Sequence, residues 1–237
     1  EVIIRHSVGR DDFRKPVYKA DYSMREVGPQ DKKGEYLFTY KQAPTEEDLR
    51  SIGRYVTAEL LEHFNFKAVE KYEMCSYSEK HKRDVVHIFK STVDYPIFVL
   101  DQGTFKKIYK PHEMDKKYRF SYVGQKPQNH IFGMSQLKSV ENEFVDQDGS
   151  YNYSGAEYKQ PVVRDLIRCS GESDALNVAS LGFHVYWLNS ESAEMDHKQF
   201  TEVDNLCDNH YQLMDLDPTG QANALKFANR HINLFTI

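Results

Sequence analysis

Val162-Val163-Arg164-Asp165-Leu166-Ile167-Arg168-Cys169-Ser170-Gly171-Glu172-Ser173-Asp174-Ala175-Leu176 is the stretch on which the fold turns. Residues 162–169 form a mostly apolar, β-branched run between Pro161 and the Ser170-Gly171 turn, the length and bounding of a buried strand. Ser173 to Leu181 predicts a short helix, stopped by Gly182. The same alternation repeats downstream, with strands expected at His184–Leu188, Tyr211–Met214 and Ile232–Ile237 and helices at His197–Cys207 and Pro218–Asn229. Strands separated by single helices need crossover connections, and crossovers make a parallel sheet.

Upstream the grammar differs. The first 40 or so residues have mixed polarity and predict irregular structure with a short strand around Glu35 to Tyr40. Thr45 can cap a helix running to about His63, with Glu46, Glu47 and Asp48 at its positive end and Leu49, Ile52, Val56 and Leu60 on one face. From Lys67 to Val123, strand-like runs at 68–72, 85–89, 95–100, 104–109 and 118–123 predict an antiparallel meander. Residues 146–161, rich in Asp, Ser, Gly, Asn and Tyr, read as a loop or boundary. The expected organisation is an α+β N-terminal subdomain followed by an α/β, Rossmann-like parallel-sheet subdomain. It divides into a segment with one helix (1–66), a basic β-rich part (67–145) and the parallel sheet (161–237).

Composition is that of a globular chain: 237 residues, 40% hydrophobic and 28% charged. No run of about 18 apolar residues occurs, so no membrane span is expected, and no secretory leader stands at the front. Opening on Glu1 rather than methionine is expected of a trimmed fragment. Cys75, Cys169 and Cys207 form neither a CxxC pair nor a disulfide framework, which suits a reducing cytoplasm. None of the ten histidines pairs with a cysteine at zinc-finger spacing, and no GxxxxGK[ST] loop is present. Asp146, Asp148 and Glu157 brush against a calcium-loop spacing, but Tyr151 stands where that loop needs glycine.

Charge is unevenly spread beneath a net −5. Residues 161–237 hold 5 Lys/Arg against 11 Asp/Glu, whereas residues 105–126 hold 7 Lys/Arg and only 2 acids. In an open parallel sheet, ligands bind at the carboxyl ends of the strands. Two such ends here are acidic. One carries Glu172 and Asp174, and the other Asp215 and Asp217, whose i, i+2 spacing on an extended chain aims both side chains one way. Grouped carboxylates suit Mg²⁺ or Mn²⁺, and Asp217 before Pro218 also fits a helix cap. Lys107, Lys110, Lys116, Lys117, Arg119 and Lys126, interleaved with Phe105, Tyr109, Tyr118, Phe120 and Tyr122, form the pattern that neutralises phosphates and stacks on unpaired bases.

The pair Ser170-Gly171-Glu172-Ser173-Asp174-Ala175-Leu176 and Asp215-Leu216-Asp217-Pro218-Thr219-Gly220 resembles the two signature motifs of the Toprim fold, shared by bacterial primases, topoisomerases and some nucleases. The similarity is to phage primase–helicases, and residues 115–133 resemble the basic subdomain that precedes Toprim there. The resemblance covers roughly residues 60–237 and implies a DNA primase making RNA primers on single-stranded DNA from nucleoside triphosphates with Mg²⁺. It implies Glu172 and Asp174 as catalytic acids, Asp215 and Asp217 as metal ligands, and a linked helicase beyond Ile237. The family motif opens with glutamate where this chain has Ser170, whose hydroxyl is no base at neutral pH. A catalytically degenerate Toprim module that binds single-stranded DNA or positions a helicase is therefore an alternative, as is a Toprim nuclease.

Overall fold

The computed structural model describes residues 20–139, 162–190, 192–231 and 234–236. The loop expected at 146–161 lies outside them. The N-terminal part is an antiparallel sheet of β1 (Asp21–Arg25), β2 (Tyr36–Tyr40), β3 (Phe66–Ser78), β4 (Arg83–Lys90), β5 (Phe98–Asp101), β6 (Phe105–Tyr109) and β7 (Phe120–Gly124). Its order is β1-β4-β3-β5-β6-β7, with β2 also paired to β3. The long β3 makes this possible, since residues 66–68 pair with β5 while 69–78 pair with β2 and β4. The strands are antiparallel as expected but do not form a simple meander, because β3 sits between β4 and β5. Residues 118–119 belong to a helical turn before β7, β1 forms where irregular structure was expected, and Tyr95 to Ile97 pack as a buried approach to β5.

The single helix expected over 45–63 is two: α1 (Glu46–Ile52) and α2 (Ala58–His63). Thr45 and Asp48 form the reciprocal capping box of α1. Gly53 then turns extended, with Asn177 so close that an added Cβ would lie 1.9 Å from its Oδ1. Thr57 starts again, accepting a hydrogen bond from the Leu60 N–H at 3.2 Å. Ile52 and Val56 are buried all the same, so the apolar spacing survives a break that it does not reveal.

A short helix α3 (Lys116–Arg119) leads into β7, and residues 134–139 enter a further helix, α4. The second sheet holds β8 (Val163–Cys169), β9 (His184–Trp187), β10 (Cys207–Leu213) and β11 (Leu234–Thr236), all parallel, in the order β11-β10-β8-β9. Helices α5 (Glu172–Ala179), α6 (His197–Asp204) and α7 (Pro218–Arg230) connect them. The strand β10 begins four residues before the expected Tyr211 and α6 ends at Asp204. Polar Asp208, Asn209 and His210 hide the strand's start, yet Asn209 pairs with Asp165 across the ladder and donates to its carboxylate at 3.0 Å.

From β8 the chain steps to β9 on one side and returns to β10 on the other. The strand order thus reverses between β8 and β10, which opens a crevice at their carboxyl ends. Alternation along the strands sorts the two faces. Ile167, Cys169, Val185 and Trp187 pack with Ala175 and Leu176 of α5, and with Ile52, Leu61, Phe64, Phe98 and Phe105 of the N-terminal part. Leu166 and Tyr186 pack with Phe200 and Val203 of α6 and Phe227 of α7. Helix α5 is therefore clamped between the two sheets, and its first turn sits at the crevice.

Candidate functional site

Ser170 follows the last residue of β8, and Asp174 lies one turn into α5. The Ser170 hydroxyl is 2.6 Å from Asp174 Oδ2 and 3.1 Å from Asp215 Oδ1 across the crevice. A hydroxyl carries one proton, so it serves one of these carboxylates at a time. Two acids, one early in α5 and one just past β10, therefore lie on the same hydroxyl, a grouping of oxygen donors that suits a hard dication. Asp174 is half-buried, and Asp215 and Asp217 are exposed.

The other two expected acids are held differently. Asp217 caps α7, with Oδ1 accepting the Gly220 N–H at 2.8 Å. Glu172, at the first position of α5, turns away from solvent and is 3% exposed. Its carboxylate is paired to the Lys107 ammonium of β6, and it accepts the Trp187 indole N–H at 3.2 Å. Among the described residues, no three of Glu172, Asp174, Asp215 and Asp217 bring carboxylate oxygens within 4.8 Å of one another. The structure brings Asp174 and Asp215 together through Ser170, with Asp217 on the same rim, and seals Glu172 beneath them.

The basic stretch divides in the same way. Lys107 is 1% exposed and boxed by aromatic rings, with its ammonium 4.4 Å from the Phe120 centroid, 5.6 Å from Tyr122 and 5.2 Å from Phe132. Lys110 is buried too, and burial pushes its ammonium below its ordinary pKa. Neither is at the surface where a template strand would lie. Lys117 is exposed, 5.2 Å from the ring of Tyr118, itself 53% exposed. Lys126 is half-exposed over Tyr122 at 5.0 Å, while Arg119 donates to the Glu113 carbonyl at 3.2 Å. Lys116 belongs to α3. Cation and aromatic side by side at 117–118 and 122–126 is the surface pairing that suits unpaired bases.

The Lys107–Glu172 pair escaped the sequence reading, although a signal was there. Phe105, Lys107 and Tyr109 alternate on one face of β6, so a lysine between two core aromatics points inward. Trp187 is 1% exposed. At the crevice rim, Asn189 donates to the Gln128 carbonyl at 3.4 Å and Ser190 meets Ser192; Glu191 lies outside the described residues. No helix among the described residues is long and apolar enough to cross a membrane. No protein-family model matches the chain, and no curated protein is similar to it.

Proposed function

We propose that this chain is a Toprim-type domain of the primase kind, which binds Mg²⁺ or Mn²⁺ at the β8 and β10 ends and builds RNA primers on single-stranded DNA. The observation that carries the reading is the meeting of Asp174 and Asp215 on Ser170 Oγ, at the point where the strand order reverses. Carboxylates that share one hydroxyl neighbour suit a hard dication, which would take Asp174 and Asp215 as ligands with Asp217 following on the same segment. The ion would supply charge neutralisation to the triphosphate and to the primer hydroxyl. Asp217 fixes the start of α7, so the β10 end keeps its shape. Asp174 is the nearest acceptor for a proton leaving at Ser170, a position where serine cannot take one. Lys117 with Tyr118, and Lys126 with Tyr122, would hold the template by phosphate and ring.

A second reading, a Toprim module that grips single-stranded DNA or positions a linked helicase without polymerising, is favoured by one feature. The residue at the head of the motif is Ser170, and Glu172 two residues on is neutralised by Lys107. Primer synthesis with a single-stranded template, nucleoside triphosphates and Mg²⁺ separates the two. The primase reading expects short RNA products that fall about 100-fold or more in Asp174→Asn and Asp215→Asn, the scale of a lost electrostatic contribution. DNA binding with no product in any condition supports the module instead, and metal-dependent cleavage of duplex DNA supports a nuclease.

A further inference from the structure

At the end of the parallel sheet opposite Ser170, three donors of different chemistry meet. Asp204 is the last residue of α6, Cys207 the first of β10, and His210 follows three residues later. Asn205 stays helical in backbone as the cap of α6, and the turn through Leu206 brings the helix end back over the strand it feeds. One ligand atom from each of Asp204, Cys207 and His210 lies within 4.8 Å of the other two. His210 Nδ1 is 3.0 Å from Asp204 Oδ1. The spacing Asp-x-x-Cys-x-x-His is not that of a zinc finger, so the sequence alone does not announce it.

The histidine is built as a ligand would be. It is 1% exposed, its ring stacks on Phe200 at 5.2 Å and 15°, and its Nε2 is 2.8 Å from the Tyr186 hydroxyl. Nδ1–H donates to Asp204 Oδ1, and the Tyr186 hydroxyl donates to Nε2. An ion at Nδ1 would shift that proton to Nε2, where Tyr186 Oη can accept it, the outer-shell arrangement that orients a metal-binding imidazole. Cys207 and Asp204 are half-exposed, so the donors open toward solvent.

We propose that Asp204, Cys207 and His210 bind a transition-metal dication of the zinc class, with water as the fourth ligand. Sulfur and imidazole nitrogen select such an ion over Mg²⁺. At Zn–S and Zn–N lengths of about 2.3 and 2.0 Å, tetrahedral ligand atoms stand roughly 3.5 Å apart, so side-chain rotation of about 1 Å closes the site. On binding, the Cys207 thiol loses its proton to solvent and the thiolate donates its electron pair to the metal, with no change of oxidation state. The ion then clips the end of α6 to the start of β10. Softer donors at the far end of the sheet make this site independent of the crevice carboxylates.

The test is a Co²⁺ titration of the chelator-treated chain in excess Mg²⁺, which fills oxygen-only sites, followed by near-ultraviolet and visible absorbance. One equivalent of Co²⁺ should produce a thiolate-to-cobalt charge-transfer band and tetrahedral visible bands, and Zn²⁺ should abolish both. Cys207→Ser, at a half-exposed position and checked for folding by circular dichroism, should lose the charge-transfer band. Tyr186→Phe should keep the band and weaken binding by roughly 10–100-fold. No charge-transfer band in the native chain, or an unchanged band in Cys207→Ser, overturns the proposal.

Discussion

The residue with the largest energetic leverage near the crevice is Lys107, a cation inside an aromatic box and paired with the Glu172 carboxylate. Removing one partner of a buried pair leaves the other charge stranded and costs about 3–5 kcal/mol, whereas replacing both by apolar side chains is near neutral. Lys107→Met should therefore lower unfolding stability by about that amount in denaturant titrations, and Lys107→Met with Glu172→Leu should recover most of it. The pair also anchors the first turn of α5, so Lys107→Met should disturb the Asp174 carboxylate that the turn presents. Equal stability in the single and double variants would place the energy elsewhere. A phosphate-binding lysine predicts the reverse pattern, with affinity for DNA changed and stability left alone.

Among the elements, one short backbone bridge adds to the shared core at the junction between the two sheets. Phe132 and Trp187 exchange backbone hydrogen bonds at 2.9 and 3.2 Å, and their rings stack at 5.4 Å. Gly133 follows with φ +90°, and a Cβ there would stand 2.6 Å from the Val185 carbonyl. Gly133→Ala should cost about 1–3 kcal/mol, read as a lowered denaturation midpoint without loss of secondary structure. The crossover elements were legible because strand and helix periods differ, and because Gly182, Asp196 and Asp217 mark helix ends by their own chemistry. The break at Gly53 was not, since it comes from Asn177, far along the chain, occupying the space beside it. The start of β10 was hidden for a similar reason. Asn209 is acceptable in a strand only because Asp165 lies opposite.

At the scale of the molecule, five histidines among the described residues have their pKa lowered by burial: His87, His130, His184, His210 and His231. A histidine held neutral in the folded chain takes up its proton on unfolding, so the unfolded state binds more protons below about pH 6.5. Stability should then rise with pH from about 5 to 7 and fall on acidification through the unfolded value, measured as the thermal midpoint against pH. A flat profile over that window would show these rings to be solvated. The candidate site was legible only in part, because motif spacing names the acids without saying which way each one turns. Asp174 and Asp215 both lie on the Ser170 hydroxyl, whereas Asp217, whose spacing aims it with Asp215, caps α7 instead. Glu172 does not join them, because a helix clamped between two sheets gives its first side chain to the interior.

On the proposed reading, Asp174 and Asp215 share one divalent cation. Mn²⁺ binding, followed by the loss of its free-ion electron paramagnetic resonance signal, tests this most directly. The native chain should take up one Mn²⁺, and both Asp174→Asn and Asp215→Asn should weaken that binding by about tenfold or more, a difference of about 1.4 kcal/mol. Uptake unchanged in both variants would contradict the account.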